Sequence, residues 1–150
     1  MRSDFLNDNC SAGDSYKLKV RKLSVANTLT EADSGSVFLL DSATEFATTL
    51  PAVATAGSGW HCKFVVFAAP ASASYTVIEG EGSDANVIIV NGINELEVDD
   101  TEDGVSSTGC STVTFVDGVA IKGDWVDVWC DGSNYYVSGQ TKADGGITAT

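Results

Sequence analysis

The sequence predicts an all-β fold, an antiparallel β-sandwich or jelly-roll-like barrel, and three observations carry that expectation. Apolar and polar residues alternate with period two over short runs. The cleanest run starts at Asp124, where Val126, Val128 and Cys130 point one way and Trp125, Asp127 and Trp129 the other. Turn signals built from Gly, Asn, Asp and Ser separate these runs at roughly eight to twelve residues, in a chain with 15 Gly and only 2 Pro. No segment shows the apolar periodicity of a helix, and Pro51–Gly57 has room for one helical turn at most.

Taken in order, residues 1–14 set Phe5 and Leu6 among Asp, Asn, Ser and Gly without periodicity, so they read as a flexible N-terminal arm. Residues 15–150 read as a single β-sandwich domain. From Tyr16 the chain alternates: Tyr16, Leu18 and Val20 take one side, and Lys17, Lys19 and Arg21 take the other, with Lys22 following. These six positions, 17–22, hold four of the eight basic residues. They form either a solvated face of an edge strand or a docking strip for an acidic surface. Val37–Leu40 and Glu45–Leu50 are the next strands, the second ended by Pro51. Trp60–Ala68 lacks alternation around Phe64-Val65-Val66-Phe67, the mark of a strand covered on both sides. Tyr75–Ile78 follows, then the fully apolar Val87–Val90. Asn91-Gly92 is a strong hairpin signal leading into Leu96 and Val98, and Asp117-Gly118 joins Thr112–Val116 to Val119–Ile121 in the same way.

A chain of 150 residues suits one domain with its own core, since such a length buries roughly 68–70% of the unfolded surface. The formal net charge of −13, from 21 acidic against 8 basic residues, repels the phosphate backbone, so no nucleic-acid partner is expected. No apolar run reaches the length of a membrane span, and MRSDFLNDN lacks the apolar stretch of a signal peptide, so no membrane partner is expected either. Cys10, Cys62, Cys110 and Cys130 stand far apart with no C-x-x-C pair. Zinc sites usually present two thiolates from one turn, so no metal is expected. Cys62 and Cys130 fall inside strand patterns and read as small buried hydrophobes. One disulfide stays open, because four cysteines allow three full pairings.

Catalytic constellations are thin. The single histidine, His61, lies between Trp60 and Cys62 in a strand pattern, and no G-x-S-x-G elbow accompanies it. Glu79, Glu81, Glu95 and Glu97 are the carboxylates a glycosidase pair would draw on, yet Glu95 and Glu97 flank Leu96 as a plain solvent face would. Asp99–Asp103 with Gly104 matches the first half of a calcium loop, but Cys110 stands where the bidentate Glu belongs. No phosphate loop is present. No catalytic residue and no cofactor is expected, and the chain reads as a non-enzyme.

The aromatic residues concentrate instead. Gly118–Gly139 holds two of the three Trp and two of the four Tyr, with Asp131-Gly132-Ser133-Asn134 turning Trp125–Cys130 back into Tyr135–Ser138. One face of this hairpin offers Val126, Val128 and Cys130, the other Trp125, Asp127 and Trp129. Burying a ring of this size contributes on the order of 2–3 kcal/mol. The second face therefore calls for a cover, either another sheet of the same chain or a neighbouring subunit.

Leu29-Thr30, Asp33-Ser34-Gly35, Val37–Leu40, Thr48-Thr49-Leu50-Pro51-Ala52, Ile78, Gly123-Asp124-Trp125-Val126 and Asp131–Gly139 form one further pattern. It resembles small virion proteins of tailed bacteriophages, over about residues 28–139. The resemblance covers head-decorating proteins and tail-fibre domains. It implies an accessory structural protein, often a homo-trimer, made in the host cytoplasm and carried on the capsid exterior. There it would bind the major capsid protein and stabilise the head as a decoration, or cement, protein. Cys130 and the basic strand lie outside the pattern. The residues themselves offer Phe5, Leu6, Lys17, Lys19, Arg21 and Lys22 as capsid contacts and Trp125 and Trp129 as a subunit interface. The alternative is a tail-fibre or baseplate β-domain that stacks a host surface glycan on an exposed Trp60 or Tyr135.

Overall fold

Alternation in the chain becomes twelve short strands in a computed structural model that describes residues 17–42, 44–82, 84–97 and 104–150. They are β1 (Lys19–Leu23), β2 (Asn27–Thr28), β3 (Ser36–Leu40), β4 (Ala47–Thr49), β5 (Ser58–Val66) and β6 (Tyr75–Ile78), then β7 (Ile88–Glu95), β8 (Gly104–Cys110), β9 (Thr112–Phe115), β10 (Trp125–Asp131), β11 (Tyr135–Thr141) and β12 (Ile147–Ala149). A 3-10 turn spans Glu31–Asp33, and a single helical turn, α1, spans Val53–Ala56. The strands form a seven-stranded sheet, β1-β3-β5-β10-β11-β7-β8, and a five-stranded sheet, β12-β9-β6-β4-β2. One cluster of buried side chains fills the sandwich between them.

Up to Ile78 the chain changes sheet at every connection, sending β1, β3 and β5 to the larger sheet and β2, β4 and β6 to the smaller. Successive strands of each sheet are therefore laid down in the same direction and pair in parallel. With β7 against β11, five of the ten strand pairs among the described residues are parallel, which corrects the expectation of an antiparallel sandwich to one built from two mixed sheets. Period two is common to both pairings, so no local pattern could have separated them.

The core is aromatic at its centre. Phe38 stacks on Phe64 with centroids 5.5 Å apart, and Trp60 meets Tyr135 edge-on at 5.8 Å. Both polar tips are satisfied: the Trp60 Nε1 donates to the Thr30 carbonyl at 3.1 Å and the Tyr135 hydroxyl to the Pro51 carbonyl at 2.6 Å. Burial then stabilises without an orphaned donor, and it pushes the Tyr135 phenol upward. Cys62, Cys110 and Cys130 are buried free thiols, also pushed up by burial.

Several local expectations change. Asn91-Gly92 does not turn the chain: β7 runs straight through it, and the register against β11 steps from Val137↔Val90 to Ser138↔Gly92, leaving Asn91 as a bulge. Asp117-Gly118 does turn, but Val119 and Ala120 fold back on the Val116 carbonyl and no strand follows. β5 is dry on one side only, with Val65 half-exposed on the other. Glu95 is buried while Leu96 is exposed, the reverse of the face expected there. β8 and β12 were not anticipated; β8 is Gly, Ser and Thr over most of its length, without an apolar alternation to read.

Carboxylates hold the loops. Glu79 accepts the Ala85 N–H, the Val87 N–H at 3.1 Å and the Ser111 hydroxyl at 3.2 Å. Glu95 accepts the Gly145 N–H at 2.9 Å. Asp124 takes the Ile121 and Lys142 N–H groups and the Thr141 hydroxyl, at 2.9 to 3.1 Å. Asp131 closes the hairpin turn by accepting the Ser133 and Asn134 N–H groups at 2.7 Å and the Tyr136 hydroxyl at 3.0 Å. Those donors hold Asp131 below the ordinary carboxyl value of 3.8, with the Asn134 and Ser133 amides contributing most. A depressed folded-state value means stabilisation that is present above the ordinary value and lost as pH falls through the depressed one. Asp131→Asn should therefore lower the urea midpoint at pH 7 and leave it close to wild type near pH 2, as measured by fluorescence unfolding at both pH values.

Candidate functional site

The two sheets differ in what they turn outward. The five-stranded sheet presents threonines: Thr76, Thr114 and Thr148 lie side by side in one row, and Thr49, Ile78 and Thr112 in the next. These fit a pleated, hydrated face. The seven-stranded sheet presents rings and aliphatics. Its register aligns His61, Trp129, Tyr136 and Ile89 in one row and Leu39, Val65, Trp125 and Gln140 in another. Between them runs Val37, Lys63, Asp127 and Ser138.

The alternation of β10 positions both tryptophans on this face, because Val126, Val128 and Cys130 occupy the dry side. Trp129 is 47% exposed and lies flat on Tyr136, with centroids 4.4 Å apart and 16° between planes. Trp125 is half-buried beneath the Lys63 ammonium, 3.8 Å from its ring centroid, and Lys63 also approaches Asp127 at 3.5 Å. Asp131, tied to the Tyr136 hydroxyl, borders the face at its turn end. Apart from the Lys63–Asp127 pair and Lys22, which stands in register with Leu39 at the β1 edge and is paired with Asp41, the rows carry no Lys, Arg, Asp or Glu, on a protein of net charge −13. No other sheet of the described chain covers this surface. Of the two covers open to the hairpin, a second sheet of the same chain is thereby set aside for the described residues.

Tyr136, Val65, Ile89, Val37 and Leu39 join the tryptophans here and were not singled out from sequence. The signal was present in another guise. The runs Phe64-Val65-Val66 and Ile88-Ile89-Val90 break alternation because Val65 and Ile89 belong to this outer face, on which no second layer of the described residues packs.

The other candidate residues fall elsewhere. Trp60 and Tyr135 are 3% and 0% exposed, so neither offers a stacking platform to a glycan; both rings are core, which corrects that expectation. Arg21 pairs with Asp33, and Lys22 with Asp41 at 2.8 Å, while Lys22 also lies 3.9 Å from the centroid of the Phe67 ring. Burial works to raise Asp33, but the Thr30 and Arg21 hydrogen bonds outweigh it and hold the carboxyl below its usual range. Lys17 and Lys19 are exposed and have no partner among the described residues. Phe5, Leu6, Cys10 and Asp99–Asp103 lie outside the described residues. His61 is exposed, with Nδ1 3.1 Å from the Gly59 carbonyl oxygen. Glu79 and Glu95 are committed to the loop contacts above, and the Glu81 carboxylate accepts the Val53 N–H at 2.6 Å.

A ring already half in water should cost little to remove. Trp129→Ala is expected to lower stability by about 0.5–1.5 kcal/mol, the value of a stacked pair, against about 3–5 kcal/mol for Trp60→Ala in the core; urea unfolding of the two variants reads the difference. Comparison of the chain with protein-family models, curated proteins and solved structures finds no match.

Proposed function

We propose that the chain is a non-enzymatic structural subunit whose outer face on the seven-stranded sheet is buried by a neighbour, and in the most specific form a cement protein on the exterior of a tailed-phage head. The observation that carries this reading is the charge-poor aromatic face. Interface cores are recognised by loss of charged residues and gain of Trp and Tyr rather than by overall hydrophobicity. Trp125, Trp129 and Tyr136, flanked by Val37, Leu39, Val65 and Ile89, meet that description on a strongly acidic protein. Five strands about 4.8 Å apart and some six residues deep cover roughly 500 Å2. A stable interface uses about 800 Å2 per partner, so the face supplies its centre and leaves a rim to the surrounding loops.

In a homo-trimer the contact is heterologous, and this face meets a different surface of the next copy. The major capsid protein is then the partner of the exposed basic residues Lys17 and Lys19. The buried carboxylates favour a binding role over turnover, because Glu79, Glu95 and Asp124 already accept backbone and hydroxyl donors that hold loops in place.

Sedimentation velocity tests the interface: wild type should sediment as a trimer and Trp129→Glu as a folded monomer, whereas a wild type that stays monomeric at high concentration contradicts it. Pelleting with expanded heads of the phage that encodes the chain tests the placement. Stoichiometric binding is expected; binding to purified tails and not to heads would overturn it.

A further inference from the structure

The edge strand β1 carries a second surface of different chemistry. Among the described residues it ends the seven-stranded sheet and pairs with β3 alone, in parallel, from Lys19↔Ser36 to Leu23↔Leu40. An edge strand presents a row of unpaired N–H and C=O groups, a template for another strand. Four of its five residues are exposed, and only Leu23 is buried. Val20, 56% exposed, stands beside Val37 on the outer face, and Leu18, 70% exposed, precedes the strand. A cleft of about 220 Å3 opens between Leu18, Val37, His61 and the Lys63–Asp127 pair, room for one apolar side chain.

We propose that the free edge of β1 receives an extended acidic segment of a partner protein, adding an eighth strand to the sheet by backbone pairing. Charge selects the occupant. Arg21 and Lys22 are neutralised by Asp33 and Asp41, but Lys17 and Lys19 are not paired among the described residues. A second copy of β1 laid antiparallel here would set Lys and Arg against Lys and Arg, which is destabilising across strands. An incoming strand with Glu or Asp opposite Lys17 and Lys19, and aliphatics opposite Leu18 and Val20, satisfies both sets. The protein's overall charge of −13 does not forbid this. Exposed charges are screened beyond about 8 Å at physiological salt, so the lysines beside the strand decide.

This inference rests on the assembly reading only for the existence of a partner, and it is tested on the isolated full-length chain. The probe is a synthetic peptide of alternating glutamate and valine, followed by titration and by amide hydrogen exchange. It should bind, slow exchange at residues 19–23 and weaken as salt rises. The double variant K17E/K19E, altered at two exposed positions, should bind it on the order of tenfold more weakly. A lysine–valine peptide that binds equally well, or peptide binding without added protection in β1, overturns the proposal. So does protection of β1 that exists without peptide and vanishes on deletion of residues 1–16, since the chain's own N-terminus would then hold the edge. If K17E/K19E fails with the peptide yet binds heads like wild type, the edge is not the capsid contact; if wild type binds the peptide but not heads, only the head placement falls.

Discussion

The fold hangs on one strand that carries an aliphatic face on one side and two tryptophans on the other. β10 lies between β5 and β11, and its alternation commits Val126, Val128 and Cys130 to the sandwich and Trp125 and Trp129 to the opposite side. A period of two allows no compromise: slipping the register by one residue would bring the tryptophans inward and expel the core. The inner set wins because it interlocks with Phe64, Tyr135 and Val137 across a layer that is already filled by rings. The outer set is left with partial cover, a stack on Tyr136 for one tryptophan and a lysine for the other. Both partners reduce exposure without removing it.

Around that strand, the construction is economical in helix and rich in connections that cross between sheets. Each of the first three coils contributes one strand to each layer, so the parallel ladders β1-β3-β5 and β2-β4-β6 grow together. Loops that join opposite layers leave backbone N–H groups unpaired, and a protein with 21 acidic residues has acceptors to meet them. Glu45 shows the principle at its simplest, accepting the Ala71, Ser72 and Ala73 amides, which hold it below the ordinary carboxyl range. Part of the acidity that reads in sequence as a repulsive surface is in fact structural bonding.

Much of this was legible residue by residue. The hairpin of β10 and β11, the strands Val37–Leu40 and Tyr75–Ile78, the single helical turn after Pro51 and the burial of Cys62 and Cys130 follow from local pattern alone. What escaped was relational. Strand order and parallel pairing are set by where connections cross, which no window of sequence contains. Asn91-Gly92 became a bulge because β7 has to continue beside β11, overriding a local turn preference. The outer face was half-legible: its tryptophans were evident, but Val65, Ile89 and Tyr136 could be assigned to it only once register placed them beside Trp125 and Trp129. Trp60 and Tyr135 show the converse error, since ring content alone does not distinguish a platform from a core.

The most direct measurement is hydroxyl-radical footprinting of the protein at assembly concentration and after dilution. If the outer face is a buried contact, Trp125, Trp129 and Tyr136 oxidise slowly when concentrated and rapidly when dilute, while Trp60 is protected in both. Equal and rapid oxidation of the three outer rings at every concentration, and equally in the presence of phage heads, would show that nothing covers them and would contradict the assembly role.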